Sequence, residues 1–379
     1  MVPGKLQFLP CVGLLVIAAC GEPTEPTEGV DPELSVGSAH GCLVRSDESI
    51  ACWGVNSLGR LGGDLFQTRG AVLVGSHESF RHVAAGWAHT CALTVDGAAW
   101  CWGSNVGGQL GITGTTAANL PQRVPGAPPF VQITAGRAHT CALTSAGYAY
   151  CWGDNSRAQL GIGTFEPSLV SPVATERTFV SVVAGELHTC ALTAAGTVFC
   201  WGDNLFGQLG VPSDSGVYPT PVQMETEIPF TQITAGRSHN CGIAADSVGY
   251  CWGANDDGQL GTRGEDRSYL PVSLGPARPF RQLSAGIRHT CGVLFGLSVL
   301  CWGENLYGQV GSSSLITELA PKLVTTDQAF VLVGSADRHT CGLSVRLQVF
   351  CWGDNRDGRL GLGYKSTEYQ LTPRLVLMP

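Results

Sequence analysis

Charge and methionine are scarce in this chain: Asp, Glu, Lys and Arg together make up only 14% of 379 residues, and there are three Met. So little charge leaves few residues for the solvated faces of long surface helices, whereas 51 glycines suit many short strands joined by tight turns. An all-β fold is therefore expected. A positive balance is missing too. The formal net charge is −8, which argues against a nucleic-acid partner, because such binding relies on Lys and Arg neutralising phosphates. Past residue 20 no apolar run approaches the roughly 20 residues that a membrane-spanning helix needs. Gly-x-Ser-x-Gly, His-Glu-x-x-His and the phosphate-binding Walker loop are absent, and the pair Gly361 and Gly363 lacks the third glycine and the helix of a dinucleotide site. No cofactor, no catalytic residue and no enzymatic activity are expected from motifs.

The N-terminus has its own layout. Lys5 precedes an apolar run from Val12 to Ala19, as in a secretory signal. The end of that run, Val16-Ile17-Ala18-Ala19-Cys20, resembles the lipobox of bacterial lipoproteins, which implies signal removal after residue 19 and a thioether-linked lipid on Cys20. Gly21 in place of the Asp that favours inner-membrane retention points to the outer membrane in a diderm host. Residues 20–33 repeat Pro, Thr and Glu with almost nothing to bury, so they read as a flexible tether. Removing the signal, with its single Lys5, makes the mature chain one charge more acidic. The membrane is thus expected to hold the protein only through lipid.

From residue 34 to 379 one pattern recurs seven times. Its anchor is Cys-Trp-Gly, with Trp53, Trp102, Trp152, Trp201, Trp252, Trp302 and Trp352 spaced 49, 50, 49, 51, 50 and 50 apart. A period near fifty marks units that bury their faces only against each other. Within one unit, Val131 and Ile133, Cys141 and Leu143, then Tyr148 and Tyr150 alternate as in short strands. Ser145-Ala146-Gly147 supplies a turn, and Pro121-Gln122-Arg123-Val124 a fourth strand with Pro at an edge. Four strands in each of seven units predict a single seven-bladed β-propeller. The chain opens on a first-strand motif at Leu34–Gly37 and ends on a fourth-strand motif, Thr372–Leu377. Two phases stay open: one repeat per blade, or a final strand that closes the ring beside Leu34–Trp53 and removes an open edge.

The recurring Ala-Gly-x-x-His-Thr-Cys-Ala-Leu-Thr followed by Cys-Trp-Gly-x-Asn-x-x-Gly-Gln-Leu-Gly closely resembles the repeat of the regulator of chromosome condensation family, over roughly Leu34 to Met378. The wording weakens at Gly292-Val293-Leu294-Phe295 and Gly334-Ser335-Ala336. The resemblance implies a propeller that acts by binding another protein, as a nuclear exchange factor for a small GTPase and secreted β-lactamase inhibitors do. An export signal and uniform spacing, with no room for an inserted wedge hairpin, count against an exchange factor.

Apart from Cys11 and Cys20, the cysteines always fall ten apart: Cys42 and Cys52, Cys91 and Cys101, Cys141 and Cys151, Cys190 and Cys200, Cys241 and Cys251, Cys291 and Cys301, Cys341 and Cys351. Ten-residue spacing around a central turn sets the two residues opposite each other on a hairpin, within reach of a disulfide, and an exported protein meets oxidising conditions. Seven hairpin disulfides are predicted; reduced core thiols, or zinc held by sets such as His139, Cys141 and Cys151, remain the alternatives. Cys and Trp are adjacent, so they face opposite sides of the blade. His40, His89, His139, His188, His239, His289 and His339 are expected to be structural hydrogen bonders, since a general base is one residue and not seven. Asn155 and Asn204, with Gly207 and Gly258, read as turn chemistry. Asn255–Gly258 and Asp354–Gly358 hint at calcium loops but lack the distal Glu, so no metal is expected.

A ring of near-identical units becomes specific where they differ. The two residues between Gly, or Ala336 in the last repeat, and His do so: Ser38-Ala39, Trp87-Ala88, Arg137-Ala138, Glu186-Leu187, Arg237-Ser238, Ile287-Arg288 and Asp337-Arg338. Lying in strand connections, they should gather at one end of the propeller. Trp87, Arg137, Glu186, Arg237, Arg288 and Arg338 are the candidate binding residues, because Trp and Arg dominate protein interfaces. The expected function is a monomeric, lipid-anchored cell-envelope scaffold for a protein or a surface glycan. A carbohydrate-active enzyme with clustered Asp, His or Tyr at one mouth is the rival class.

Overall fold

The computed structural model describes residues 31–63, 70–212, 216–276 and 278–379. The expected signal at 1–19, the expected lipidation site Cys20 and the expected tether up to residue 30 lie outside the described residues. Those residues form twenty-eight strands in seven four-stranded antiparallel sheets. A 3-10 turn at Ser57–Gly59 is the one helical element among the described residues.

Each blade is built from four consecutive strands. Blade 1 comprises Glu33–Val36, His40–Val44, Ile50–Gly54 and Val72–Leu73; blade 7 comprises Phe330–Ser335, His339–Ser344, Val349–Gly353 and Gln370–Leu375. The phase is one repeat per blade, which corrects the expectation that the last strand could complete the first blade. That strand stays at home, with Leu375 opposite Phe350 and Arg374 opposite Cys351. Closure comes from side chains: Leu43 and Trp53 of blade 1 pack with Leu343, Val349, Leu360 and Val376 of blade 7. One backbone bond, from Ala71 N to Leu377 O at 2.9 Å, adds to it. A ring whose every interface buries an apolar seam needs no shared strand.

The middle hairpin of each blade carries the predicted register, Cys141 opposite Cys151 for example. All seven pairs are disulfides with Cα atoms 4.0 to 4.1 Å apart, so none of these fourteen cysteines is a free thiolate for a set such as His139, Cys141 and Cys151. The disulfide faces one neighbour and the indole the other: Cys91 and Cys101 share a core with Trp152, Cys141 and Cys151 with Trp201, and Cys341 and Cys351 with Trp53. A phenylalanine at the start of the first strand completes the interface. Phe130, fully buried, lies 6.0 Å from the Trp152 ring.

The seven histidines begin the second strands and are all 0% exposed. Their role is a relay between blades. His89 Nε2 lies 3.0 Å from Thr140 Oγ1, whose single proton goes to Gln109 O at 2.8 Å. The histidine must therefore be the donor, which sets the Nε2–H tautomer. Trp152 Nε1 donates to the same carbonyl at 3.0 Å. The motif repeats from His40 to Thr90, His139 to Thr189, His239 to Thr290 and His289 to Thr340, with Asn240 replacing Thr opposite His188. It stops where blade 7 meets blade 1. There Gly41 stands in place of Thr, and neither His339 Nε2 nor Trp53 Nε1 has a hydrogen-bond partner.

Candidate functional site at one mouth of the propeller

Strand direction decides which loops share an end. In blade 1, Val36 pairs with Gly41 at one end and Val44 with Ile50 at the other. The Gly-x-x-His connection therefore emerges beside the long third-to-fourth-strand loop, opposite the tip of the Cys-to-Cys hairpin. The same holds around the ring, so the six Gly-x-x-His connections and the Ala336-x-x-His339 connection of blade 7 meet at one mouth as expected. The first residue after each of those glycines, or after Ala336 in blade 7, lines the channel: Ser38, Trp87, Arg137, Glu186, Arg237, Ile287 and Asp337 surround a cavity of about 100 Å³. The rim is tied together through its backbone. Trp87 N donates to Gly136 O at 3.2 Å, Arg237 N to Gly286 O at 3.1 Å and Ile287 N to Ala336 O at 2.9 Å. Close approach demands the glycine: a Cβ on Gly86 would lie 2.7 Å from Gly136 O and 2.6 Å from His89 Cε1.

All six candidate binding residues are on this mouth, and the arginines are already engaged. Glu186, its side chain only 8% exposed, is clamped by Arg137 at 2.8 Å and Arg237 at 2.7 Å. The Arg137 guanidinium also lies 5.3 Å from the Trp87 ring. Trp87 is 38% exposed and is held from below by Arg60, which donates to its carbonyl at 3.0 Å. Arg288 reaches Asp257 of the preceding blade at 2.9 Å, and Arg338 pairs with Asp337 at 3.5 Å while stacking 4.6 Å from the Tyr307 ring. Trp87 is the one aromatic among the six, and beside it Arg137 and Arg237 are already paired with Glu186. Asp257 and Asp354, which suggested calcium loops, face Arg288 and Arg356 instead.

A second ring around this rim escaped the sequence reasoning. It comes from the two residues after the Asn of Cys-Trp-Gly-x-Asn, and it exposes Leu58 (50%), Val106 (77%), Leu205 (57%), Phe206 (38%) and Leu306 (57%). The signal was available, since these positions vary within a recurring frame as the Gly-x-x-His pair does. Arg60 was marked by Gly-Arg-Leu-Gly where most repeats read Gln. Between blades 5 and 7 the face changes character. Burial raises the pKa of Asp257, Glu304 and Asp337; nearby arginines, Arg288 at all three and Arg338 most at Asp337, oppose the rise, and neighbouring carboxylates add to it. The mouth therefore exposes apolar side chains at blades 1, 2, 4 and 6, with the raised carboxylates gathered between blades 5 and 7.

The sequence matches the model of the RCC1-like domain over residues 13–293 and 130–378. No curated protein matches. Among solved structures, Prp20p from Saccharomyces cerevisiae, described with its binding properties to Gsp1p and histones, superposes with a TM-score of 0.79 at 21% identity, covering 91% of this chain and 87% of that one. Human WBSCR16 gives 0.76 at 20% identity, with 83% and 87% covered. The ectodomain of the receptor kinase ACR4 from Arabidopsis thaliana gives 0.55 at 21% identity, with 89% and 97% covered. At these identities the likeness is one of fold.

Proposed function

This chain belongs to the RCC1-like domain family, and from that premise we propose that it is a lipid-anchored scaffold of the cell envelope whose Trp87 mouth binds a protein. Seven disulfides suit an oxidising compartment, and no helix among the described residues is long and apolar enough to cross a membrane. The lipobox reading of Cys20 supplies the anchor. The observation that carries the binding reading is the mouth itself. An exposed indole framed by paired arginines and ringed by Leu58, Val106, Leu205 and Phe206 combines the residue types that anchor protein interfaces with side chains ordered before a partner arrives. The solved relative Prp20p is described as binding proteins, which supports the same class.

The test is affinity capture by the chain from Gly21 onward against envelope and secreted fractions, beside a copy carrying Trp87→Ala, Arg137→Ala and Arg237→Ala. A protein retained by the first should bind the second at least tenfold more weakly when titrated in purified form. Equal retention by both would remove this mouth from the site, and a retained glycan would replace the protein. A second reading, a hydrolase, is favoured by one observation, the row of raised-pKa carboxylates Asp257, Glu304 and Asp337 on the same mouth. Sugar release from host surface polysaccharide that disappears with Glu304→Gln would favour it.

A further inference from the structure

The end opposite the Trp87 mouth carries the tips of the Cys-to-Cys hairpins, and there the repeat breaks its own turn chemistry. The third turn residue adopts positive φ in every blade: Gly97 (87°), Gly147 (83°) and Gly196 (82°) in blades 2 to 4, as left-handed backbone prefers. Blades 1 and 5 place Glu48 (64°) and Ser247 (68°) there, and blades 6 and 7 place leucine, the half-buried Leu297 at 64° and the exposed Leu347 at 59°. Leucine gains nothing in such a turn from backbone preference, and strain of this kind points to a use for the side chain. The same two tips expose Phe295 (60%), Val345 (49%) and Leu347 (55%), with the exposed Arg346 between the last two. Val95 (47%) and Val180 (60%) extend apolar exposure across the same end.

The chain enters the propeller beside these tips. Asp31, Pro32 and Glu33 line one cavity of about 370 Å³ with Leu332 of blade 7. Two residues before Leu332, Phe330 N bonds Leu297 O at 3.0 Å, and Val345 N bonds Ala329 O at 3.0 Å. The first described residues and both leucine turns therefore form one neighbourhood. The segment from Gly21 to Val30 joins it to Cys20.

We propose that the blade 6 and 7 hairpin tips, Phe295, Leu297, Val345 and Leu347, dock on a lipid bilayer, with Arg346 meeting anionic headgroups. The choice of a bilayer as occupant rests on the lipid-anchored reading of Cys20. Apolar side chains dipping into the headgroup boundary, with a cation beside them, are the chemistry of interfacial binding, and such contacts reinforce a covalent lipid. Docking this end holds the Trp87 mouth away from the membrane, open to a partner.

The experiment is vesicle flotation of the lipid-free chain from Gly21 onward, which contains every described residue, on phosphatidylethanolamine vesicles with and without phosphatidylglycerol. Binding is expected, stronger with the anionic lipid. The pair Leu297→Gly and Leu347→Gly should lower the bound fraction at least fivefold while the melting midpoint holds or rises, so lost binding is not lost folding. Leu169→Ser, at an exposed blade edge, should float like the parent. No flotation, or flotation unaffected by the glycine pair, overturns the proposal. The anchor is read separately from the mass of Cys20 in protein extracted from host membranes. An unmodified Cys20 with glycine-sensitive flotation refutes the anchor and upholds the docking face, whereas a lipidated Cys20 without flotation refutes the docking face alone.

Discussion

The threonine that follows five of the seven structural histidines does more than its size suggests. Thr140 Oγ1 donates to Gln109 O at 2.8 Å and accepts from His89 Nε2 at 3.0 Å, and both side chains are fully buried. Replacing it with isosteric valine keeps the volume and leaves a buried imidazole N–H without a partner. A donor stranded in that way costs about 1 to 3 kcal/mol. Thr140→Val is therefore expected to lower the denaturation free energy by that amount with the disulfides intact. The loss should be the same above and below pH 7, where the imidazole is neutral. A change under about 0.5 kcal/mol in denaturant titration would show that the relay is idle.

Blades differ as elements in how they meet, and the interface of blade 7 with blade 1 is the exception. Six interfaces carry a His-to-Thr or His-to-Asn bond and an indole N–H on the neighbouring loop carbonyl. At the seventh, the Trp53 ring occupies the space in which a threonine side chain would stand, since a Cβ on Gly41 would come within 2.4 Å of Trp53 Cζ2. The glycine is required by that close approach. Gly41→Ala should cost about 1 to 3 kcal/mol by overpacking, read as a lower melting midpoint, although alanine is otherwise the safer strand residue. An unchanged midpoint would mean that Trp53 turns freely. Here apolar packing and the one Ala71 N to Leu377 O bond close the ring without the buried relay, which makes this seam the first interface expected to open.

The whole molecule stores an acid sensitivity in its seven buried histidines. Burial lowers the pKa of His89, and likewise of His139, His239 and His289, to about 3, with neighbouring positive charge adding to the effect at the first three. An exposed histidine in the unfolded chain titrates near 6.5. Because the folded values lie below the unfolded one, the stability these groups contribute is complete above pH 6.5 and is lost as pH falls from there toward 3. Those four sites together give a slope on the order of 5 kcal/mol per pH unit inside that window. Asp257, Glu304 and Asp337 act in the opposite sense: their folded values are raised, so their contribution is present at low pH and lost as pH rises through them. Being partly solvated and fewer, they do not offset the histidines. Calorimetry should show the melting midpoint dropping steeply between pH 6 and 4, and a flat profile would mean that the buried imidazoles are solvated.

Blade number, strand alternation and disulfide pairing were legible in the sequence because each follows from local spacing. A period near fifty, a two-residue strand repeat and a ten-residue hairpin leave little else for residues such as Cys141 and Cys151 to do. The gathering of Trp87, Arg137, Glu186, Arg237, Arg288 and Arg338 at one mouth was legible for the same reason, since equivalent loops of equivalent blades share an end. Tertiary structure alone decided the rest. The acceptors of six histidines, the carboxylates that Arg137, Arg237 and Arg288 face, and the closure of the ring without a shared strand are contacts between residues roughly thirty to fifty positions apart, or at opposite ends of the chain. No spacing rule reaches those pairs, because they depend on how one blade's face fits the next. Whether Arg137 is a free cation or half of a clamp on Glu186 is settled only when two neighbouring rims are brought together.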